Sequence, residues 1–456
     1  VDKVITHIED NFNNYLEELK DYIRIPSIST LESHKPEMQR CAEFVQKKLF
    51  DAGMTKVEIF QTAGHPIVYG ERIESTDLPT VLIYGHYDVQ PVDPLDLWNN
   101  PPFDPIISDG KIWARGANDD KGQSFTHFKA VEAFYKADGK LPVNVKFLIE
   151  GEEEIGSSNL YKFLKEKSEL LKCDAVLISD TSMYDVGVPT ITYGLRGLLY
   201  MEVEVTGPNK DLHSGSFGGA VANPINELAK IISKLQDKNG KATIPNFYKD
   251  VQKLTTTERE NFKKLKLSDK EFAKEVDVKQ LQGEAGFSTL ERLWVRPTLD
   301  CNGIIGGFTE KGAKTVLPSK ALAKISMRLV PNQDPKKIAK DFEKYVKSLA
   351  PKSVNVDVRM IHYGYPVIAP LNNDAIKAAA DASSKAFGRE AVFIREGGSI
   401  PIVVDLMKSL KAPAILMGLG LDSDNIHSPN EHFRLENFRK GILSSAYFLN
   451  EFSKRK

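Results

Sequence analysis

Five short stretches of the chain gather the side chains best suited to chemistry. They are GHYD with His86 and Asp88, GANDDKG with Asp119 and Asp120, EGEEEIG with Glu152, Glu153 and Glu154, ISDT with Asp180, and DNIHSPNE with His427. Each reads as lying at or near the end of a strand. Imidazoles and carboxylates repeated in this way suit a pair of divalent metal ions. Both are ligands for zinc, and a bridging carboxylate can hold two ions about 3.5–4 Å apart. In GHYD the buried run Val81–Tyr84 stops at Gly85, and His86 and Asp88 follow two residues apart. Such residues share a face in extended chain. Asp88 can therefore reach the second ring nitrogen of His86, fix its tautomer and raise its basicity. On this reading His86 binds metal and Asp88 holds it.

Singly, each stretch has a plainer reading. A histidine at a strand end is commonly just hydrogen-bonded. Asp119 and Asp120 can cap a helix starting near Gly122. Three consecutive glutamates can form a solvated loop, and Asp180 can serve a turn. The repetition of these types at strand ends of one region favours the joint reading, because ligands of open α/β sheets bind beyond the carboxyl ends of the strands.

The elements that would position them follow from periodicity. Met38–Leu49 has helical spacing, Val57–Phe60 is strand-like, Ser124–Lys136 is helical, Val143–Glu150 a strand, Leu160–Leu171 helical and Ala175–Ser179 a short apolar strand. This alternation predicts an α/β domain with a largely parallel sheet. Beyond Pro189 the strands alternate instead: Leu198–Thr206, Ala321–Val330 and Val354–Met360, with helices Pro224–Leu235 and Lys337–Leu349. That pattern predicts a separate sheet with one exposed face, and a polar helical insert spans roughly Asp237 to Leu290. The first style returns with helix Asp374–Phe387, strand Ala414–Met417 and helix Leu435–Phe452. The expected architecture is an α/β catalytic domain over 1–190 and 369–456, interrupted by an α+β domain over 191–368.

Composition narrows the class. At 456 residues, more than one core is expected. The 61 Lys and Arg nearly balance the 62 Asp and Glu, which gives no reason to expect nucleic acid or an anionic membrane as partner. Three scattered cysteines, Cys41, Cys173 and Cys301, argue against a disulfide framework and for a reducing compartment. No apolar run reaches the roughly 18 residues needed to span a bilayer. The N-terminal stretch is an amphipathic helix pattern without the apolar centre of a signal peptide. A start at Val1 leaves a cleaved leader open, and a cytoplasmic location is expected.

YGHYDVQP, RGANDDKGQ, EGEEEIGS, ISDT, ITYGLRG, DLHSGSFGG, REGGSIP and IHSPNE, in this order, resemble the co-catalytic zinc metallopeptidases that include cytosolic nonspecific dipeptidase and carnosinase. Carboxypeptidase G, aminoacylase and acetylornithine deacetylase are more distant members. The resemblance runs from about His86 to Glu431. It implies two Zn2+ per subunit, with Mn2+ or Co2+ as alternatives suited to the same ligands. Asp119 would bridge both ions, His86 and Asp180 would complete one site, and Glu154 and His427 the other. Glu153 would be the general base. Gly156 sets the register of the Glu-Glu-x-Gly pattern and makes Glu152 the surplus member of the triple. The resemblance also implies a cis bond after Asp119. Three ligand carboxylates against four metal charges leave room for a bridging hydroxide, and metal binding should depend on pH.

Further roles are implied in the inserted domain, which would act as a lid and dimerisation domain. His213, by itself a turn histidine, would reach across a homodimer and polarise the scissile carbonyl. Arg328, otherwise on the wet face of a strand, would grip the substrate's free carboxylate. Asn302 reads equally as a turn before Gly303, His362 as a surface residue, and Ser399 as a helix N-cap; with Gly398 they are candidate substrate contacts. The implied reaction is hydrolysis of short peptides, most simply dipeptides. A water between the two zinc ions would be deprotonated by Glu153, which would then pass the proton to the leaving amine. The rivals are an N-acyl amino acid deacylase, a carboxypeptidase, and a catalytically silent peptide-binding protein.

Overall fold

The computed structural model describes Val1–Arg455 except Lys266 and Ser399, without the side chains of Thr257 and Pro401. The chain divides into two compact units. One comprises Val1–Tyr193, Ala369–Ile394 and Ile402–Lys456, and the other Gly194–Ile368 with Arg395–Pro401.

The first unit is built on a mixed sheet. Its strand order is Lys56–Phe60, Ile67–Arg72, Asn144–Glu150, Thr80–His86, Ala175–Ile178, Ala414–Leu416 and Thr190–Leu195. The three central pairings are parallel, and antiparallel strands flank them. Thr80–His86 and Asn144–Glu150 are almost wholly buried, and such near-continuous apolar runs are what parallel strands covered on both faces require. Register then decides which loops meet. His86 lies opposite Glu150, and Tyr84 opposite Ile178. The loops carrying Glu152–Glu154 and Asp180 thus leave the sheet beside His86, and the loop to His427 leaves from Leu416, paired with Ile178.

Five helices, Asp2–Ile23, Lys35–Asp51, Lys121–Asp138, Asp374–Phe387 and Leu435–Phe452, contribute to one apolar core with the sheet. Lys121–Asp138 is buried over most of its circumference, as expected of a helix with no solvent face. Its first residue, Lys121, donates from Nζ to the carbonyls of Tyr22 and Ile25 at 3.1 and 2.6 Å. These carbonyls belong to the last turn of the N-terminal helix and to the segment just beyond it. This ties the segment just after Asp119 and Asp120 to the body of the unit.

The second unit contains a four-stranded antiparallel sheet in the order Thr298–Gly306, Lys320–Leu329, Gly197–Thr206, Asn355–Gly364. Its central strands alternate buried and half-buried residues, and helices Pro224–Ser233 and Pro335–Leu349 pack against them. The polar insert holds helices Thr256–Lys264, Asp269–Glu275 and Thr289–Trp294, the first and third opened by capping boxes from Thr255 and Ser288.

Two local expectations change. The helix expected over Leu160–Leu171 is Ser158–Glu166. Asn302 is not in a turn but within the strand Thr298–Gly306, where the register shifts between Cys301 and Gly303. A β-bulge inserts one residue into a ladder, and the Asn-Gly pair that marks it has the same composition as a turn.

Candidate metal centre

The sheet's carboxyl edge gathers seven of the side chains singled out in the sequence: His86, Asp88, Asp119, Glu153, Glu154, Asp180 and His427. Gly85 is required where the strand reaches them, because a Cβ there would lie 2.8 Å from Ser124 Cβ and 2.9 Å from Asp120 Oδ2. Asp119 enters from the loop before Lys121–Asp138, and the Asp119–Asp120 peptide bond is cis. Gly156, in the left-handed region at φ +92°, closes the short turn Glu153–Ile155. His427 itself adopts φ +61°.

Asp119 is the centre of the arrangement. Its Oδ1 lies 3.1 Å from Nε2 of His86, and its Oδ2 lies 2.8 Å from Nε2 of His427. Asp180 Oδ2 is 4.0 Å from His86 Nε2, and Glu154 Oε2 is 3.3 Å from His427 Nε2. Two trios result, His86–Asp119–Asp180 and Asp119–Glu154–His427, each with one ligand atom per residue within 4.8 Å of the others. Asp119 belongs to both.

Electrostatics shows that these residues fit divalent cations. Burial is the largest influence on the Asp180 carboxyl and, with Asp119 and Asp120 beside it, holds it well above the usual carboxylate range. Burial and Asp119 likewise raise Glu154. Burial also opposes ionisation of Asp119, but hydrogen bonds from His427 and His86 outweigh it and hold this group well below its ordinary value. Hydrogen bonds to Asp119 and Glu154 push His427 up to about 10. His86 is raised although burial works against it, because Asp119 and Asp88 favour its cation. Carboxylates crowded this closely require positive charge, and divalent cations can supply it in place of protons.

The remaining groups hold these in place. Nδ1 of His86 is 3.1 Å from the backbone carbonyl of Asp88 and 3.4 Å from its Oδ1. The carbonyl is thus the nearer acceptor, and a hydrogen on Nδ1 leaves the Nε2 lone pair facing Asp119. The carboxylate of Asp88 instead accepts the backbone N–H groups of Glu153 and Glu154. Burial, with Glu154, Asp119 and Asp88 nearby, pushes Glu153 up to about 7, against the opposing effect of His86. Glu152 turns elsewhere: its carboxylate accepts from the backbone of His65 and from both the backbone and side chain of Asn159. It locks the loop.

Asp120 stands at the N-cap position but makes no side-chain cap bond; its Oδ2 accepts the N–H of His86 at 3.2 Å. Three supporting residues had no role assigned from sequence. Gln90 donates to Glu154 Oε2 at 2.7 Å. Buried Glu431 accepts the N–H groups of Asn118 and Asp119 through Oε1 and pairs with Arg115 through Oε2. Asn118 donates to Asp424 at 2.7 Å and accepts from Gln123 at 2.9 Å. Gln90 lies two residues beyond Asp88 and Glu431 four beyond His427, so proximity to the motifs was the available signal.

The other candidates belong to the second unit. His213 is exposed; it precedes the short helix Ser214–Phe217, and its Nδ1 accepts from Gly215 N at 3.0 Å. Arg328 is half-buried on the strand Lys320–Leu329, opposite Thr298 and Leu198. Asn302, His362 and Gly398 are exposed, His362 beside a register shift after Met360. Ser399 lies outside the described residues.

A mixed α/β sheet whose carboxyl edge carries two donor trios sharing one carboxylate is the arrangement of a metal-dependent hydrolase. The chain belongs to peptidase family M20/M25/M40, whose profile matches residues 82–451. It is 34% identical to the Cys-Gly metallodipeptidase dug1 of Schizosaccharomyces pombe over 99% of this chain and 98% of that protein. It is 32% identical to the human Beta-Ala-His dipeptidase over 98% of this chain and 92% of the relative. Among solved structures, the M20 family metallo-carboxypeptidase Sso-CP2 from Sulfolobus solfataricus superposes with a TM-score of 0.86 at 35% identity, covering 96% of this chain and 99% of that one. The chain is a metal-dependent peptidase.

Proposed function

We propose that this peptidase hydrolyses the peptide bond of dipeptides, with two zinc ions as its cofactors. The observation that carries the reading is the division of Asp119, one carboxylate oxygen toward each histidine. The names of its dipeptidase relatives support the substrate size. Bound cations supply Lewis acidity toward the scissile carbonyl and lower the pKa of water. His86 and Asp180 would hold one ion, Glu154 and His427 would hold the other, and Asp119 would serve both. Glu153 takes a proton from the attacking water and passes it to the departing amine, a task suited to a carboxyl raised to about 7. Asp88 keeps His86 and the Glu153 loop in place.

Residues 1–190 and 369–456 form the catalytic part in this reading, and 191–368 the lid and dimerisation part. The working form is a cytoplasmic homodimer in which His213 serves the partner's site as an oxyanion donor. Arg328 grips the free carboxylate of the substrate. Asn302, His362, Gly398 and Ser399 line the substrate's path. Among the described residues no helix is long and apolar enough to cross a membrane.

The similarity to Sso-CP2 favours a second reading, removal of C-terminal residues from longer peptides. The test is a panel of dipeptides, tripeptides, longer peptides and N-acetyl amino acids, assayed after chelation and again after adding back zinc, manganese or cobalt. Zinc-restored hydrolysis confined to dipeptides supports the first reading. Steady trimming of longer chains would replace it with the second.

A further inference from the structure

A cavity of about 470 Å3 lies within the second unit, lined by residues that include Arg196, Arg292, Arg296, Gln282, Thr298 and Asp300. Its size falls in the range of small-molecule sites. The three arginines are not equivalent. Arg296 is neutralised by Glu284, which accepts from Nε and Nη2 at 2.7 Å each. Nε of Arg292 donates to the backbone carbonyl of Glu284, at 3.0 Å. Arg196 is 9% exposed, and among the described residues it forms no ion pair with a carboxylate. Its Nε donates to the carbonyl of Gly397 at 3.2 Å, while its Nη1 is buried with no hydrogen-bond partner among the described residues.

The guanidinium is held closely. A Cβ at residue 397 would lie 2.9 Å from Nη2 of Arg196, so the glycine lets the charged group rest against the backbone. Burial, and then the cation of Arg328, lower its pKa to about 10, with Asp300 acting in the opposite sense. A buried charge with an unmade hydrogen bond is costly, and a planar carboxylate matches a guanidinium fork better than any neutral group does. Three arginines against Glu284 and Asp300 leave one positive charge, which one carboxylate would balance.

We propose that this cavity binds a carboxylate-bearing small molecule, with Arg196 as the principal donor and Arg292 as the second. The carboxylate has two chemically equivalent sources: the acidic side chain of a peptide substrate, or a free small dicarboxylate. Only the first rests on the dipeptidase reading.

The test uses the full, metal-loaded chain as wild type and as Arg196→Met, Arg196→Lys and Arg292→Gln. Calorimetry follows glutarate against uncharged glutaramide, and kinetics follow kcat/KM for Ala-Glu against Ala-Gln. A free ligand predicts binding of glutarate but not glutaramide, weakened at least about tenfold in Arg196→Met and less in Arg196→Lys. A substrate side chain predicts that the Ala-Glu to Ala-Gln ratio falls at least about tenfold in Arg196→Met. Arg292→Gln should move the same readout by a smaller factor, which covers the case in which Arg196→Met does not fold. If Ala-Glu and Ala-Gln are not cleaved, the dipeptidase reading is in question and calorimetry alone decides this one. No preference for glutarate, together with an unchanged kcat/KM ratio or none to measure, would overturn the proposal.

Discussion

Oδ1 of Asp88 accepts the backbone N–H of Glu153 at 3.2 Å. The same carboxylate accepts the N–H of Glu154 through Oδ2 at 3.1 Å, while the backbone carbonyl of Asp88 faces Nδ1 of His86. One residue thus fixes the orientation of a candidate ligand on one strand end and the position of a candidate base on the next. An Asp88→Asn variant keeps the shape but can accept only one of the two amides and turns an NH2 toward the other. Metal affinity or activity should fall by about 10–100-fold, read by competition with a chelating indicator. Unchanged affinity and activity would remove Asp88 from the centre.

The glutamate triple separates into two kinds of residue. Glu152 receives three N–H donors from His65 and Asn159 and belongs to neither donor trio, so Glu152→Ala should lower stability by about 1–3 kcal/mol while much activity remains. Glu153→Ala should leave the unfolding midpoint and the metal content nearly unchanged and lower turnover by about 10²–10⁴. Chemical denaturation and steady-state kinetics on both variants distinguish them. The opposite pattern would exchange the two assignments.

The strand-end positions were legible because types and punctuation agree there. A buried run halted by Gly85, followed by His86 and Asp88, has few alternative uses, and the parallel register fixes the rest. What sequence could not give depends on contacts between distant segments. Asp120 looks like a cap, and only the folded chain shows its carboxylate taking the amide of His86 instead. Glu431 is 313 positions from Asn118, the residue whose N–H it accepts, so its closeness to His427 in the chain marks the residue but not its partner. The division of labour between Glu152 and Glu153 lies in their partners, His65 and Asn159 for Glu152 against the charged neighbours Glu154, Asp119 and His86 for Glu153. The turn offered as one reading of Asn302 gives way to a strand because bulges and turns draw on the same residues, and register alone tells them apart.

His127 gives the fold a pH dependence of its own. It is fully buried; Ser179 donates to the carbonyl of Met417 and so accepts from Nε2 of His127, while Ser445 donates to Nδ1. Burial lowers its pKa from 6.5 to about 3. The unfolded chain therefore binds this proton between about pH 6.5 and 3 and the folded chain does not, so stability is full above that window and falls as pH falls through it. By pH 5 the loss should be about 2 kcal/mol. Urea unfolding at pH 7 and 5 should show this decrement in the wild type and not in His127→Gln. Equal decrements in both would contradict the assignment.

The most direct measurement is metal stoichiometry by atomic emission on gel-filtered protein, for the wild type, Asp180→Ala and Asp119→Ala. With Asp119 shared between two trios, the wild type should carry two divalent ions per chain. Asp180→Ala should keep at least one, and Asp119→Ala should hold neither firmly. A wild type that never exceeds one ion, or an Asp119→Ala variant that retains two, would contradict a pair of cations bridged by this carboxylate.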